Sequence, residues 1–196
     1  MFANRFTAFV DACTLVSMLR RNLLLTLAEA EFFRLRWSGE VLDETQKALE
    51  EIHQKRGFQD AVARAARARV SMETAFEDAM VDGYDHLLPL AAELPDKDDA
   101  HVLAAAVKTQ ASMIVTENLK DFPSKILSAL NVEAKSADEF IADTIALDPG
   151  RAVAAIRQMR ERFKRPEKTA ETLLLEMEAD DLLETVNLLR PYVESL

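Results

Sequence analysis

The chain has 196 residues, 49% of them apolar and 30% charged, which suits a domain of about 100 to 150 residues with an appendage and excludes a disordered chain. A net charge of −10 excludes a surface that attracts nucleic acid throughout, and the single cysteine, Cys13, excludes an internal disulfide. Apolar stretches such as LLLTLAEAEFF from Leu23 are broken by charge well short of the roughly 20 residues a membrane span needs.

The opening MFANRFTAFVD lacks the basic and apolar regions of a signal peptide, so a reducing cytoplasm is the expected compartment. TAFVD (Thr7 to Asp11) reads as a first strand, and ACTLVSMLRRNLLLTLAEA after it as one helix. FRLRWS (Phe33 to Ser38) alternates like a strand. GEVLDETQKALEEIHQKR follows as a helix with Val41, Leu42, Ala48, Leu49 and Ile52 on one broad face. Residues 58 to 76 read as another helix, Ala79 to Val81 as a weaker strand, and Asp98 to about Gln110 as a buried helix.

SMIVTEN is a continuous apolar run suited to a strand covered on both faces. LKDFPSKILSALN reads as a loop and short helix, VEAK as a last strand, and SADEFIADTIAL as a helix opened by Ser136 with Glu139 three residues later, a capping box. Alternating strands and helices predict an α/β fold, a parallel sheet with helices on both faces, over residues 1 to 147. DPG at 148 to 150 breaks the chain, and residues 148 to 196 read as an all-helical extension with helices near 151 to 163, 169 to 178 and 180 to 194. Its stripes (Leu173, Leu174, Leu175, Met177; Leu182, Leu183, Val186, Leu188, Leu189) suit packing on the domain, on a second subunit, or around a partner helix.

Open parallel sheets bind ligands beyond the carboxyl ends of their strands, where strand order reverses. Asp11 ends the first strand, and Thr116, Asn118 and Asp121 follow the strongest later one. In a helix starting near Asp98, Asp99 shares a face with Leu103 and Ala106 and is expected to point inward, while Asp96 and Asp98 suit helix initiation. Taken singly, each acid has an ordinary reading: Asp11 and Asp121 as turn residues, Asp96 and Asp99 as a helix start.

The segments FVDACTLVSMLRR, WSGEVLDETQKAL, LPDKDDAHVLAAAV and IVTENLKDFP, in this order and spacing, resemble the PIN-domain ribonucleases over about residues 5 to 142. The resemblance implies a metal-dependent endoribonuclease with Asp11, Glu44, Asp99 and Asp121 as catalytic acids. Glu40 is an earlier alternative to Glu44. Asp11, Asp96, Asp99, Asn118 and Asp121 are the implied metal ligands, with Asn118 standing where many relatives carry Asp. Converging carboxylates repel one another unless protonated or bound to a cation, and an all-oxygen set selects Mg²⁺ or Mn²⁺, which polarise a phosphodiester and activate water.

A polyanionic substrate needs flanking cations. Thr116, Arg20, Arg21, Arg160 and Arg162 are the candidates for contacting RNA, the last two in a segment from Arg151 to Lys168 with seven Lys or Arg against two Glu. The ordinary reading of that cluster (Arg157, Arg160, Arg162, Lys164, Arg165) is a solvated helix face. The tail resembles the helical extension of longer VapC-like toxins, which implies a bacterial toxin with an antitoxin partner and a homodimer. Asn118 keeps open a catalytically impaired RNA- or protein-binding module. A phosphohydrolase is disfavoured because Asp11 is followed by Ala12 and Cys13 rather than by a second Asp two residues on. His101 reads as a surface or structural residue, and Trp37 as core or a subunit contact rather than a base-stacking platform.

Overall fold

The computed structural model describes residues 6–164 and 166–196; the first five residues of the segment read for a targeting signal, and Arg165 of the basic cluster, lie outside the described residues. In chain order the elements are β1 (Thr7–Val10), α1 (Ala12–Val16), α2 (Met18–Glu29), β2 (Arg34–Ser38), α3 (Gly39–Lys55), α4 (Ala61–Ala75), β3 (Met80–Val81) and α5 (Ala100–Lys108). They continue with β4 (Met113–Val115), α6 (Ser124–Leu127), β5 (Glu133–Lys135), α7 (Ala137–Leu147), α8 (Pro149–Glu161), α9 (Ala170–Ala179) and α10 (Leu183–Leu189). No helix among the described residues is long and apolar enough to cross a membrane.

By their contacts the described residues form two units. One, residues 6–16 and 34–135, holds a five-stranded sheet in the order β3-β2-β1-β4-β5 with every neighbouring pair parallel. The fold class is thus α/β, a parallel sheet with helices, joined in sequence to an all-helical segment. Ala8, Phe9, Val10, Ile114 and Val115 of the central strands are fully buried, as expected of strands that read as unbroken apolar runs. α5 lies against β1, β2 and β4. Val102, Leu103, Ala104, Ala105 and Ala106 are all fully buried, so α5 is apolar nearly all round, the mark of an interior helix. Trp37 on β2 is also fully buried, edge-on to Phe76 at 6.0 Å, which makes it core.

The other unit, residues 17–33 and 136–196 of those described, is helical. Phe33 meets Phe140 edge-on at 4.9 Å, and the Arg151 guanidinium lies 4.1 Å above the Phe32 ring. α7 opens with the Ser136–Glu139 capping box, and the Asp138 carboxylate accepts from the Glu184 and Thr185 N–H groups, both at 2.8 Å, at the start of α10. Leu173, Leu174, Met177, Leu182, Val186 and Leu189 are buried, with α9 and α10 packed on each other. Leu175, Leu183 and Leu188 remain exposed.

Several boundaries differ from the sequence reading for local reasons. The helix read as continuous from Ala12 breaks at Ser17, whose hydroxyl accepts from Arg20 N–H at 3.3 Å and caps α2. The helix read from Asp98 starts at Ala100, with Asp99 as its N-cap residue. A 3₁₀ run at Asp85–Ala91, interrupted by Pro89, carried no periodic signal. Asp148 does more than end α7, because its Oδ1 accepts from Arg151 N–H at 3.2 Å and Pro149 occupies the first turn of α8. The last helix is split: Asp181 takes φ 58°, and α10 gives way to a 3₁₀ run at Arg190–Ser195.

Candidate functional site

Strand order reverses between β1 and β4, and both strands deliver a polar residue at their carboxyl ends. Asp11 follows β1 and is only 4% exposed; Thr116 follows β4 and is fully buried. The Thr116 hydroxyl donates to Asp11 Oδ2 at 2.7 Å, while Ala12 N–H donates to Asp11 Oδ1 at 2.6 Å. A buried carboxylate with donors on both oxygens is fixed in orientation, and its desolvation is partly offset.

Cys13 completes this network. Its thiol donates to Asp11 Oδ2 at 3.0 Å, lies 3.3 Å from Thr116 Oγ1, and accepts from Glu117 N–H at 3.2 Å. Burial, reinforced by the Asp11 charge, pushes the thiol up to about 11, so it stays protonated at neutral pH. Sequence reading left Cys13 without a function, and only the approach of β1 to β4 reveals it as a strut for Asp11.

Three further carboxylates, Asp96, Asp99 and Asp121, each place an oxygen within 4.8 Å of the others. Asp99 caps α5 in position only: its side chain makes no capping bond, so the carboxylate is left for its neighbours. Burial first, then the negative charges of Asp11, Asp96 and Asp121, push it up to about 6. Asp121 is brought in by the 3₁₀ turn Leu119–Asp121, with Lys120 Nζ 4.0 Å from its Oδ2. Asp98 is exposed, and its N–H donates to Asp96 Oδ1 at 2.9 Å, consistent with a turn that starts the helix. Asn118 is exposed and uses its N–H on Thr116 Oγ1 at 3.1 Å.

Glu44 stands apart from that trio. It projects from α3 with half its side chain exposed, and its Oε1 lies 3.1 Å from Nε2 of His101, whose own side chain is 14% exposed. Burial opposes protonation of His101, but the bond to Glu44 and the charges of Glu44, Glu40 and Asp11 outweigh it and raise its pKa. Glu40, the alternative acid, lies in the first turn of α3, where an acid complements the helix dipole, and is exposed. His101 had no signal in the sequence, because its partner lies 57 positions away on another helix.

The candidate basic residues belong to the helical unit. Arg20 bonds the Asp180 carbonyl at 2.7 Å and the Asp180 carboxylate at 3.3 Å, and Arg21 is partly buried, with burial lowering its pKa. Arg160 donates to the carbonyls of Lys168 at 2.6 Å and Leu196 at 2.8 Å, and Arg162 pairs with Glu29 at 3.0 Å. Arg20 and Arg160 thus each tie together segments of their own unit.

A donor set dominated by carboxylates matches a hard divalent cation. The thiol at hand, Cys13, is hydrogen-bonded to Asp11 and Thr116, and the imidazole, His101, is turned to Glu44.

Comparison with known proteins adds independent findings. The family described as "PIN domain" matches residues 7–120, and the one described as "VapC50 C-terminal domain" matches residues 137–191. A relative in Mycobacterium tuberculosis (strain ATCC 25618 / H37Rv), named "Putative ribonuclease VapC50", is 36% identical over 107 residues. The matched stretch is 55% of this chain and 62% of that relative, so less than two thirds of the relative's length is spanned. No solved structure matches the chain.

Proposed function

The chain belongs to the PIN-domain family, and from that membership we propose that it is a divalent-metal-dependent endoribonuclease, the toxin of a bacterial toxin–antitoxin pair. One observation supports this most: the oxygens of Asp96, Asp99 and Asp121 within 4.8 Å of one another, with Asp11 close enough to help raise the Asp99 pKa. Burial first and then the neighbouring acids raise the Asp99 pKa, and a bound cation would offset both effects. Asp11, Asp96, Asp99 and Asp121, with Asn118 at the rim, would hold Mg²⁺ or Mn²⁺. Bound there, the ion would supply Lewis-acid polarisation of the scissile phosphodiester and lower the pKa of attacking water.

Thr116 orients Asp11 through its hydroxyl and faces the same strand edge. Glu44, held at Oε1 by His101, accepts a proton at its other oxygen. Arg20, Arg21, Arg160 and Arg162 are proposed to steer the RNA backbone, with less force at Arg20 and Arg160, which already hold carbonyls in their own unit. The proposed domain limits are 1–147 for the nuclease and 148–196 for the helical extension. An antitoxin partner, a homodimer and a cytoplasmic setting complete the reading. The name of the Mycobacterium tuberculosis relative favours ribonuclease activity.

The deciding experiment is cleavage of a mixed structured RNA pool by the purified protein with Mg²⁺, Mn²⁺ or EDTA, beside Asp99→Asn. Metal-dependent cleavage absent from the variant supports the reading; cleavage that survives EDTA or Asp99→Asn rejects it. The second reading, a binding module that has lost catalysis, is favoured by the uncharged Asn118. It predicts RNA or protein binding without cleavage under every metal condition.

A further inference from the structure

We propose that His101 is a positioning residue that fixes the carboxylate of Glu44, the proposed proton acceptor; this rests on the proposed nuclease reading. The geometry carries it. Asp99 and His101 leave the same first turn of α5: one joins the carboxylate trio with Asp96 and Asp121, and the other reaches Glu44 on α3 at 3.1 Å. A carboxylate only accepts, so the imidazole donates from Nε2.

The two partners are unequally placed. His101 is anchored, with 14% of its side chain exposed, whereas Glu44 has half of its side chain in solvent. An exposed glutamate on a helix samples several rotamers, and a partly buried donor favours one of them. Ordinary surface ion pairs lack this asymmetry and contribute little. α5 therefore fixes Asp99 directly and Glu44 at second hand, so that one helix start sets the separation of the two acids. Outer-shell donors of this kind change affinity or rate by about 10- to 100-fold when removed.

The test uses His101→Gln, whose amide nitrogen can stand where Nε2 does, and His101→Asn, which is polar but too short to reach Glu44. Each is made in the wild type and in Glu44→Gln. Mn²⁺ affinity is read by calorimetry, and RNA cleavage as kcat and KM. The expected result is near-normal behaviour for His101→Gln and a roughly 10-fold or larger fall in kcat for His101→Asn, with KM for RNA unchanged. In the Glu44→Gln background the Asn substitution should have no further effect. If His101→Asn costs as much there as in the wild type, or if Gln and Asn behave alike, His101 does not act through Glu44 and the inference is overturned while the nuclease reading stands. If Mn²⁺ binds but the wild type cleaves no RNA, Glu44 has no proton-accepting task to be positioned for and the inference is overturned while the metal site stands. A wild-type protein that neither binds Mn²⁺ nor cleaves RNA overturns the nuclease reading and this inference together.

Discussion

Replacing Asp99 with Asn should make the metal-free protein more stable and the metal-loaded protein less so. Asp99 is pushed from 3.8 to about 6 by burial and by Asp11, Asp96 and Asp121. The folded state thus keeps this proton up to about pH 6, whereas the unfolded chain releases it near 3.8. Between those values the folded state binds more protons, so this group's contribution to stability falls as pH rises through the window and is flat above it. The full interval corresponds to roughly 3 kcal/mol, which screening by water at a partly solvated carboxylate reduces to about 1–2 kcal/mol.

Asn removes the charge, caps helices as well as Asp does, and breaks no capping bond, since Asp99 makes none. In EDTA at pH 7.5, Asp99→Asn should therefore unfold about 2–8 °C above the wild type for a chain of this size. At pH 4 the two should nearly coincide. With Mn²⁺ at about 100 times its Kd, the wild type gains about 2.7 kcal/mol and the order reverses, because the variant binds the ion weakly. Thermal unfolding of both proteins at the two pH values, with and without Mn²⁺, measures all of this. A variant that is no more stable than the wild type at pH 7.5 in EDTA refutes the argument that burial and the neighbouring acids disfavour the charged form of Asp99.

Cys13, held at about 11, should react with iodoacetamide at pH 7.5 roughly 100-fold more slowly than an unperturbed thiol and speed up in urea; alkylation at the rate of free cysteine would show that the thiol is not buried against Asp11. Thr116→Val removes the donor to Asp11 Oδ2 and the acceptor for Asn118 N–H. It should cost about 1–3 kcal/mol in urea unfolding and weaken Mn²⁺ binding by about 10-fold in calorimetry. Ser136→Ala breaks the capping box of α7 and should lower stability by about 1 kcal/mol, read as a shift of the urea midpoint.

Much of the α/β core was legible because its signals are local. SMIVTEN reads as a buried strand from its unbroken apolar run, and the Ser136–Glu139 box needs only three residues of spacing. Asp99 was placed inward because Leu103 and Ala106, four and seven residues on, had to be buried, and they are. Helix breaks at Ser17 and at Asp181 were less legible, since a capping serine or a residue at positive φ sits inside stretches whose apolar spacing hardly changes. The Asp85–Ala91 run escaped because 3₁₀ turns have no sustained amphipathic period.

By itself the sequence determined that a parallel sheet forms and which acids end its strands or begin its helices. Periodicity and capping depend on neighbours within a turn or two. Which acids meet was decided only by the tertiary structure: Asp96, Asp99 and Asp121 gather while Glu44 stands off on His101, and Cys13 braces Asp11 and Thr116. The contacts that join Asp11 and Cys13 to Thr116 span up to 105 positions and arise from the pairing of β1 with β4, which no local pattern encodes. Burial then turned an ordinary helix-start aspartate into a carboxyl poised near pH 6, a property of its surroundings and not of its place in the chain.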